Sequence, residues 1–463
     1  MTQMFTCNFF VRTVAFVAAL AFAGNAYAIK VEEVKSPGGI TAYLAQDKTN
    51  PIIAISFMFQ GGSALDSDAK LGLSNMAAGL LDEGAGERDS FAFQSELEDR
   101  AITLRFSADR DAIRGGVTTT VQASGVAFGL LNDAMTKPRF DAEPVERIRR
   151  QILVSLKAQS ENPNRIASRA LMAALFSNHP YARIDDGTPE SVGSITVEDL
   201  RTWQKTRLAK DRLIVAAAGD ISPKQLGAAL DKIFAGLPAK SDVAVAVPEA
   251  KVSATAQTIK IDKPLPQSVL LMAQPSIKRA DPDWYTAQVL DYTFGSGSFA
   301  SRLMDEVREK RGLAYSVGTS MQSLAGAGFM IGSAGTRSDQ VGQSLEVMRA
   351  EWAKIQKDGI TEDELNDAKQ YLTGAWPLRF SSTGSVAETL VAVQKDNLGL
   401  DYLDKRNDYI NAVTLADAKR LAAKLYQPDA LTVVIVGPAA KPAVPQQPAQ
   451  PEKKRPERER KAQ

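Results

Sequence analysis

The chain has 463 residues, 44% of them hydrophobic and 24% charged, with 55 Lys and Arg against 54 Asp and Glu and a formal net charge of +1. That length is past the size at which a single hydrophobic core usually divides, so more than one domain is expected. The balance is that of an ordinary globular protein and offers no electrostatic ground for a nucleic-acid partner.

In chain order, Arg12 precedes an apolar run at residues 13–23 (TVAFVAALAFA), followed by GNAYA with small residues at Ala26 and Ala28. This pattern predicts a signal peptide over residues 1–28, cleaved after Ala28, and a periplasmic mature chain. The run is well short of the ~20 apolar residues that a spanning helix needs. Cys7, the only cysteine, falls in the segment to be removed, so the mature chain is expected to hold neither thiol nor disulfide.

Residues 29–238 read as a first domain. Strands are predicted at 40–44 and 52–59 (IIAISFMF), the second broken by Gly61 and Gly62. Helices are predicted at 73–81 and 90–101. Two strands follow, 103–108 and 112–122, joined by Asp109-Arg110-Asp111. Helical patterns cover 125–135, 142–159 and 197–208; then come a short apolar strand at 213–218, closed by Gly219, and a helix at 223–233. Residues 239–258 carry prolines, small residues and charges without helical period and are the candidate linker.

Residues 259–438 repeat the order. A strand at 268–273 is followed by helical segments at 281–294 and from the Gly295-Ser296-Gly297-Ser298 turn to about Lys310. Strands at 314–322 and 328–333, helices at 340–357, 361–372 and 415–425, and a strand at 431–436 closed by Gly437 complete it. Two copies of one unit, each ending helix–strand–Gly, indicate an internal duplication. The expected fold class is α+β: two homologous α/β sandwich domains, each an antiparallel-rich sheet with helices packed on it, in a clam-shell arrangement. Residues 439–463, rich in Pro, Gln and charge, are expected to be a disordered tail.

The segment 72–86 (GLSNMAAGLLDEGAG) resembles the helix that carries the inverted zinc motif H-x-x-E-H in the pitrilysin/insulinase peptidases, the inverzincins. In that motif two histidines one turn apart bind zinc and the glutamate is general base to a metal-bound water. The three positions here are Asn75, Ala78 and Gly79. The family's third ligand, a glutamate on a later helix, corresponds to about Ser155 within 143–163 (EPVERIRRQILVSLKAQSENP). Ligands and base are thus replaced together. Independently of any family, a chain with one histidine and no mature cysteine cannot build a catalytic zinc site of the usual kind. That histidine, His179, stands in an HPY segment like one found in many family members; a turn-pinning role and a catalytic one are both open from sequence. Asp82 and Glu83 could form an oxygen-only cation site or be two solvated acids.

The segment 294–320 (FGSGSFASRLMDEVREKRGLAYSVGTS) resembles the family's C-terminal substrate-binding motif. There an arginine and a tyrosine seven residues later reach across to the zinc domain; here they are Arg308 and Tyr315. From periodicity alone, Arg308, Lys310 and Arg311 could simply be cations favoured at a helix C-terminus, and Tyr315 could be core. The edge at 102–107 (ITLRFS) corresponds to the place where family members add substrate as an extra strand.

The resemblance spans about residues 31–438 and points to the processing-peptidase-like bacterial branch, in which some members work as pairs with one subunit lacking H-x-x-E-H. It implies a non-catalytic, substrate-binding subunit of a heterodimeric periplasmic zinc metallopeptidase, not active alone, with Arg308 and Tyr315 supplied to the partner's zinc site. Its implied partners are a zinc-bearing homologous subunit and peptide substrates, with no nucleic acid and no membrane span after signal cleavage. No cofactor is expected in this chain and zinc is expected in the partner. The alternative is a non-enzymatic peptide-binding or scaffold subunit of a larger assembly. A third kind of enzyme finds no support: no nucleophile elbow, dinucleotide fingerprint or P-loop is present.

Overall fold

The computed structural model describes residues 29–243 and 247–438; the expected signal segment and the C-terminal tail lie outside the described residues. The first half builds a six-stranded sheet from β1 (Val31–Lys35), β2 (Thr41–Gln46), β3 (Ile52–Gln60), β4 (Thr103–Ala108), β5 (Ala112–Thr120) and β6 (Leu213–Gly219), in the order β1-β2-β6-β3-β5-β4. The second builds a five-stranded sheet from β7 (Gln257–Asp262), β8 (Gln267–Pro275), β9 (Ala314–Leu324), β10 (Ala327–Arg337) and β11 (Thr432–Gly437), in the order β7-β11-β8-β10-β9. Without β1 the two orders superpose strand for strand. Each sheet has one parallel pair, β2 with β6 and β7 with β11, and is otherwise antiparallel. The duplicated α+β fold expected from the sequence is therefore present.

β3 is apolar almost throughout and buried at most positions on both faces. An antiparallel strand with one solvated face would alternate, so both faces of this sheet must be covered. One face packs on its own half's helices: Phe57, Phe59 and Val215 join Leu130, Leu131, Leu226 and Leu230. The other is covered by the helix Thr383–Lys395 from the second half, whose Val386, Ala387 and Leu390 meet Ala54, Met58, Ala216 and Ala218. The exchange is reciprocal. The helix Pro163–Leu175 of the first half lays Leu171 and Leu175 on Val269, Ala273 and Val434 of the second sheet.

The sequence reading assigns no element to the helices 163–175, 383–395 and 402–411, nor to β1 and β7; the first two of these helices are the ones exchanged between the halves. Local start signals exist for both helices: Asn162 caps the first with Pro163 at its first position, and a Ser382–Ser385 capping box opens the second. The sheets that these two helices cover belong to distant parts of the chain, so nothing nearby in the sequence announces their packing.

The halves also meet at their hairpin tips. The Tyr181 hydroxyl donates to Asp111 Oδ1 (2.6 Å) and accepts from Gly326 N–H (3.0 Å), while Ala325 N–H donates to Asp111 Oδ2 (2.8 Å). This ties the β4–β5 turn to the β9–β10 turn. Both β4 and β9 are terminal strands of their sheets and both run into this joint. Among the described residues no helix is long and apolar enough to cross a membrane.

Candidate functional site

The degenerate zinc segment is built as its sequence suggests. Gly72 has φ +87°, and a Cβ there would stand 2.7 Å from the Asp186 carbonyl oxygen, so glycine is required where the chain turns into the helix Leu73–Ala78. This helix, shorter than the predicted 73–81, lies along β4 and against the helix Ala142–Glu161. Asn75 is half-buried and its Nδ2 donates to the Asp185 carbonyl (2.8 Å) and to Asp186 Oδ1 (3.5 Å). Ala78 is buried in the first-half core, and Gly79 is the exposed C-cap. Ser155 is exposed on the Ala142–Glu161 helix, accepts from Gln159 Nε2 (3.1 Å) and stands beside Val154, itself 70% exposed.

These residues do not fit zinc. An amide, a methyl group, a glycine and a serine offer no imidazole, thiolate or carboxylate where three such ligands are needed. Among the described residues, no three His, Cys, Asp or Glu side chains come together in a way that could hold a metal ion. His179 is spoken for. It caps the turn Pro180–Ala182 through Nδ1, which accepts from Tyr181 N–H (3.2 Å), and its Nε2 lies 3.0 Å from the Pro248 carbonyl. Since a carbonyl only accepts, the proton is on Nε2 and the ring is used at both nitrogens. The turn-pinning reading holds.

Asp82 and Glu83 are not a pair of solvated acids. Burial works to raise the Glu83 carboxyl, but hydrogen bonds from Arg147 (2.5 Å and 3.2 Å) and Ser90 (2.6 Å) outweigh it and hold the pKa below its ordinary value. Among the described residues no arginine or hydroxyl bonds the Asp82 carboxyl, which has only a backbone N–H to oppose its burial. Burial, with a smaller contribution from the Glu83 charge, pushes it from 3.8 up to about 6. Ionising Asp82 therefore works against the fold. That cost is absent below about pH 4, develops as pH rises and is complete above about pH 6. Asp82→Asn is expected to stabilise the chain at pH 7.5, on the order of 1 kcal/mol after allowance for partial exposure, with no gain at pH 3.5. Urea midpoints at the two pH values check this.

The second motif is assembled. The segment before β9 is a π-turn, Met304–Glu309, closed by Lys310 N–H on the Asp305 carbonyl (2.9 Å), and Gly312 at φ +61° ends it. Tyr315 is the second residue of β9 and 78% exposed, so it is not core. The three neighbouring cations part ways. Lys310 pairs with Asp305 and Glu306, and Arg311 with Glu306. Arg308 lies with its guanidinium 5.4 Å from the Tyr315 ring centroid and 4.9 Å from that of Phe299. Among the described residues its one ionic neighbour is Glu309, at 3.5 Å. Arg308 and Tyr315 are thus brought together as the motif requires. Phe299, 66% exposed, is the member that sequence reasoning missed. A lone aromatic after a GSGS turn carries no signal until its ring is seen on the arginine.

This cluster holds a guanidinium fork fixed by two aromatic faces and a phenol open to solvent. Cation–π contacts of this kind contribute about 0.5–1 kcal/mol each at exposed sites. A guanidinium so held can donate to carbonyl oxygens, and a free phenol can donate to a developing oxyanion. Tyr315 stands ten residues upstream of Ala325 and hence about 30 Å along β9 from the hairpin joint. The cluster is therefore at the open end of β9, away from where the halves are tied.

Comparison with known proteins agrees with this division. A family model described as insulinase, peptidase family M16, matches residues 41–185, and one described as peptidase M16 inactive domain matches residues 194–372, together most of the chain. A curated Helicobacter pylori protein named "Non-peptidase homolog YmxG" is 27% identical over 340 residues, 73% of this chain and 78% of the relative. A Bacillus subtilis protein named "Uncharacterized zinc protease YmxG" is 24% identical over 397 residues, 84% of this chain and 94% of the relative. The crystal structure of a peptidase M16 inactive domain from Pseudomonas fluorescens is similar at a TM-score of 0.83 and 27% identity, covering 89% of this chain and 98% of that one.

Proposed function

The chain belongs to the M16, insulinase-type peptidase family as a non-catalytic member, and from that premise we propose that it is the substrate-binding subunit of a two-chain zinc peptidase of the periplasm. Its partner is a homologous chain with an intact H-x-x-E-H, which supplies the metal. Arg308 and Tyr315 act in trans on a peptide held at the partner's site. The observation that carries this reading is the contrast between the halves: every metal-ligand position of the first half is replaced, while the arginine–tyrosine pair of the second stands assembled and open to solvent.

In this assignment the partner's zinc provides the activated water, and this chain contributes binding and charge stabilisation. The Arg308 guanidinium donates to backbone carbonyls of the peptide on either side of the scissile bond and fixes its position. The Tyr315 O–H donates to the carbonyl oxygen as negative charge develops there. Neither group takes up or releases a proton in the net reaction; both act as hydrogen-bond donors.

The test is reconstitution. The chain purified alone, the zinc-bearing homologue alone and their mixture are assayed on an unstructured peptide. Hydrolysis is expected in the mixture only, rising to a 1:1 ratio and abolished by chelator. Hydrolysis by the isolated chain, or full activity of the homologue without it, contradicts the proposal.

A further inference from the structure

Among the described residues no oxygen accepts a hydrogen bond from the Arg308 guanidinium; its Nη1 reaches only the Met304 sulfur, at 4.0 Å. Arg302, earlier in the same segment, is held differently: Glu364 takes its Nε and Nη2 at 2.5 Å and 2.6 Å. That pairing fixes a guanidinium by using its edge donors. Aromatic rings hold one by its faces and leave the edge donors for a ligand. Arg308 has two such rings, and Phe299 is the nearer, at 4.9 Å against 5.4 Å for Tyr315.

The core does not call for a phenylalanine at 299, since its ring is 66% exposed. The chain is nevertheless shaped to place it. Ser298, just before it, has φ +52°, a left-handed backbone that residues other than glycine rarely adopt. The turn ahead of Ser298 is pressed onto β9. A Cβ at Gly295 would stand 2.4 Å from Thr319 Oγ1 and 2.7 Å from Thr319 N. A Cβ at Gly297 would stand 2.5 Å from the Tyr292 carbonyl oxygen, which accepts from the Gly297 N–H (2.9 Å). Close approach therefore requires glycine at both positions. The buried Asp291 carboxyl accepts from the Thr319 hydroxyl (2.6 Å). Asp291 leads into the turn and Thr319 lies on the strand that carries Tyr315, so this bond sets both rings in one frame. Ser301 closes the turn, its hydroxyl donating to the Ser298 carbonyl (2.7 Å). The Gly-Ser-Gly-Ser segment is thus a fixed shelf.

We propose that Phe299 is a positioning residue for the peptide-binding arginine, and that residues 291–301 are built to deliver its ring to the guanidinium. This deepens the reading of Arg308 as a peptide-binding group and rests on it. Phe299 acts through Arg308 and needs no contact with the peptide. It narrows the orientations open to the arginine side chain, so less rotamer freedom is lost when a peptide binds. The gain is the same in the ground state and the transition state, so it belongs to KM rather than to kcat.

Two measurements test this, one of them without the partner. In the isolated full chain, the Arg308 Nε–H magnetic resonance is identified by its loss in Arg308→Gln. Ring currents from Phe299 and Tyr315 should displace it. Phe299→Leu is expected to move it toward the position of a free arginine, and Phe299→Tyr to keep it in place. In the reconstituted pair, Phe299→Leu is expected to raise KM about two- to fivefold with kcat nearly unchanged, the size fitting one exposed cation–π contact. Phe299→Tyr is expected to restore the wild-type KM. In an Arg308→Gln background, Phe299→Leu is expected to change nothing further, since the two residues act as a unit. The thermal midpoint should stay fixed throughout, as the ring is exposed. An Arg308 resonance indifferent to Phe299→Leu overturns the inference. So does a loss that Phe299→Tyr does not rescue, or one that persists at full size in Arg308→Gln. A pair without hydrolysis contradicts the two-chain reading instead, and the resonance then decides on Phe299 by itself.

Discussion

Tyr315→Phe is expected to lower turnover of the reconstituted pair by on the order of 10²–10³, the usual cost of removing one oxyanion donor. Only the hydroxyl is lost. The ring remains to pack against Arg308, whose guanidinium lies 5.4 Å from its centroid, so the guanidinium keeps its place. At 78% exposure the side chain contributes little to the core, and the thermal midpoint should not move. Because the hydroxyl acts in the transition state and not on the ground-state peptide, the loss should fall on kcat with KM nearly unchanged. Steady-state kinetics at fixed subunit ratio, with assembly followed by size exclusion, separate these effects. A Tyr315→Phe pair with wild-type turnover would favour a peptide-binding or scaffold role over a catalytic one.

Leu390→Ala is expected to destabilise the whole chain by about 2–5 kcal/mol, the range for truncating a buried leucine. Leu390 is fully buried on the exchanged helix, against Ala54, Met58 and Ala218 of the first sheet. The residues on the sheet side are mostly small, so the void left by its side chain cannot be refilled by a local rotamer change. The helix belongs to the second half and its cover to the first, and the Pro163–Leu175 helix makes the converse bond. Unfolding of either half therefore strips one face of the other. A single denaturant transition is expected for the wild type, and Leu390→Ala should lower its midpoint without splitting it. Two separate transitions, only one of them shifted, would show that the exchange does not couple the halves.

That coupling bears on how the molecule works. A clam-shell hinged at its linker would have to break both exchanged faces and the Asp111–Tyr181–Gly326 joint in order to open. Within the clam-shell arrangement each half therefore covers a sheet face of the other, and β4 and β9 meet at the tied hairpin tips. Access to a chamber is then expected to arise between subunits rather than within this chain.

What could be read from the sequence follows from how local each signal is. The helix Pro223–Ile233 agrees with its predicted bounds because Ser222, Pro223 and Gln225 are a complete start signal. β3 is legible because a strand buried on both faces is a continuous apolar run. β1 (VEEVK) and β7 (QTIKID) are half polar and terminate their sheets, so their pairing is decided by strands far away in the sequence. Arg308 and Tyr315 were found through a motif, and their proximity follows from a turn ending at Gly312. Phe299 needed the fold, since its role lies in the ring it lays on Arg308. The fate of Glu83 was equally hidden, because Arg147 reaches it from a helix 64 residues away.

The central claim is that this chain has surrendered its own metal and keeps only the groups that act on a partner's. Metal content of the isolated, chelator-free protein by mass spectrometry tests it most directly. No stoichiometric zinc is expected, and none should be gained on dialysis against zinc at concentrations that load the homologue. One tightly held zinc per protomer, bound beside Asn75 and Gly79, would contradict the account.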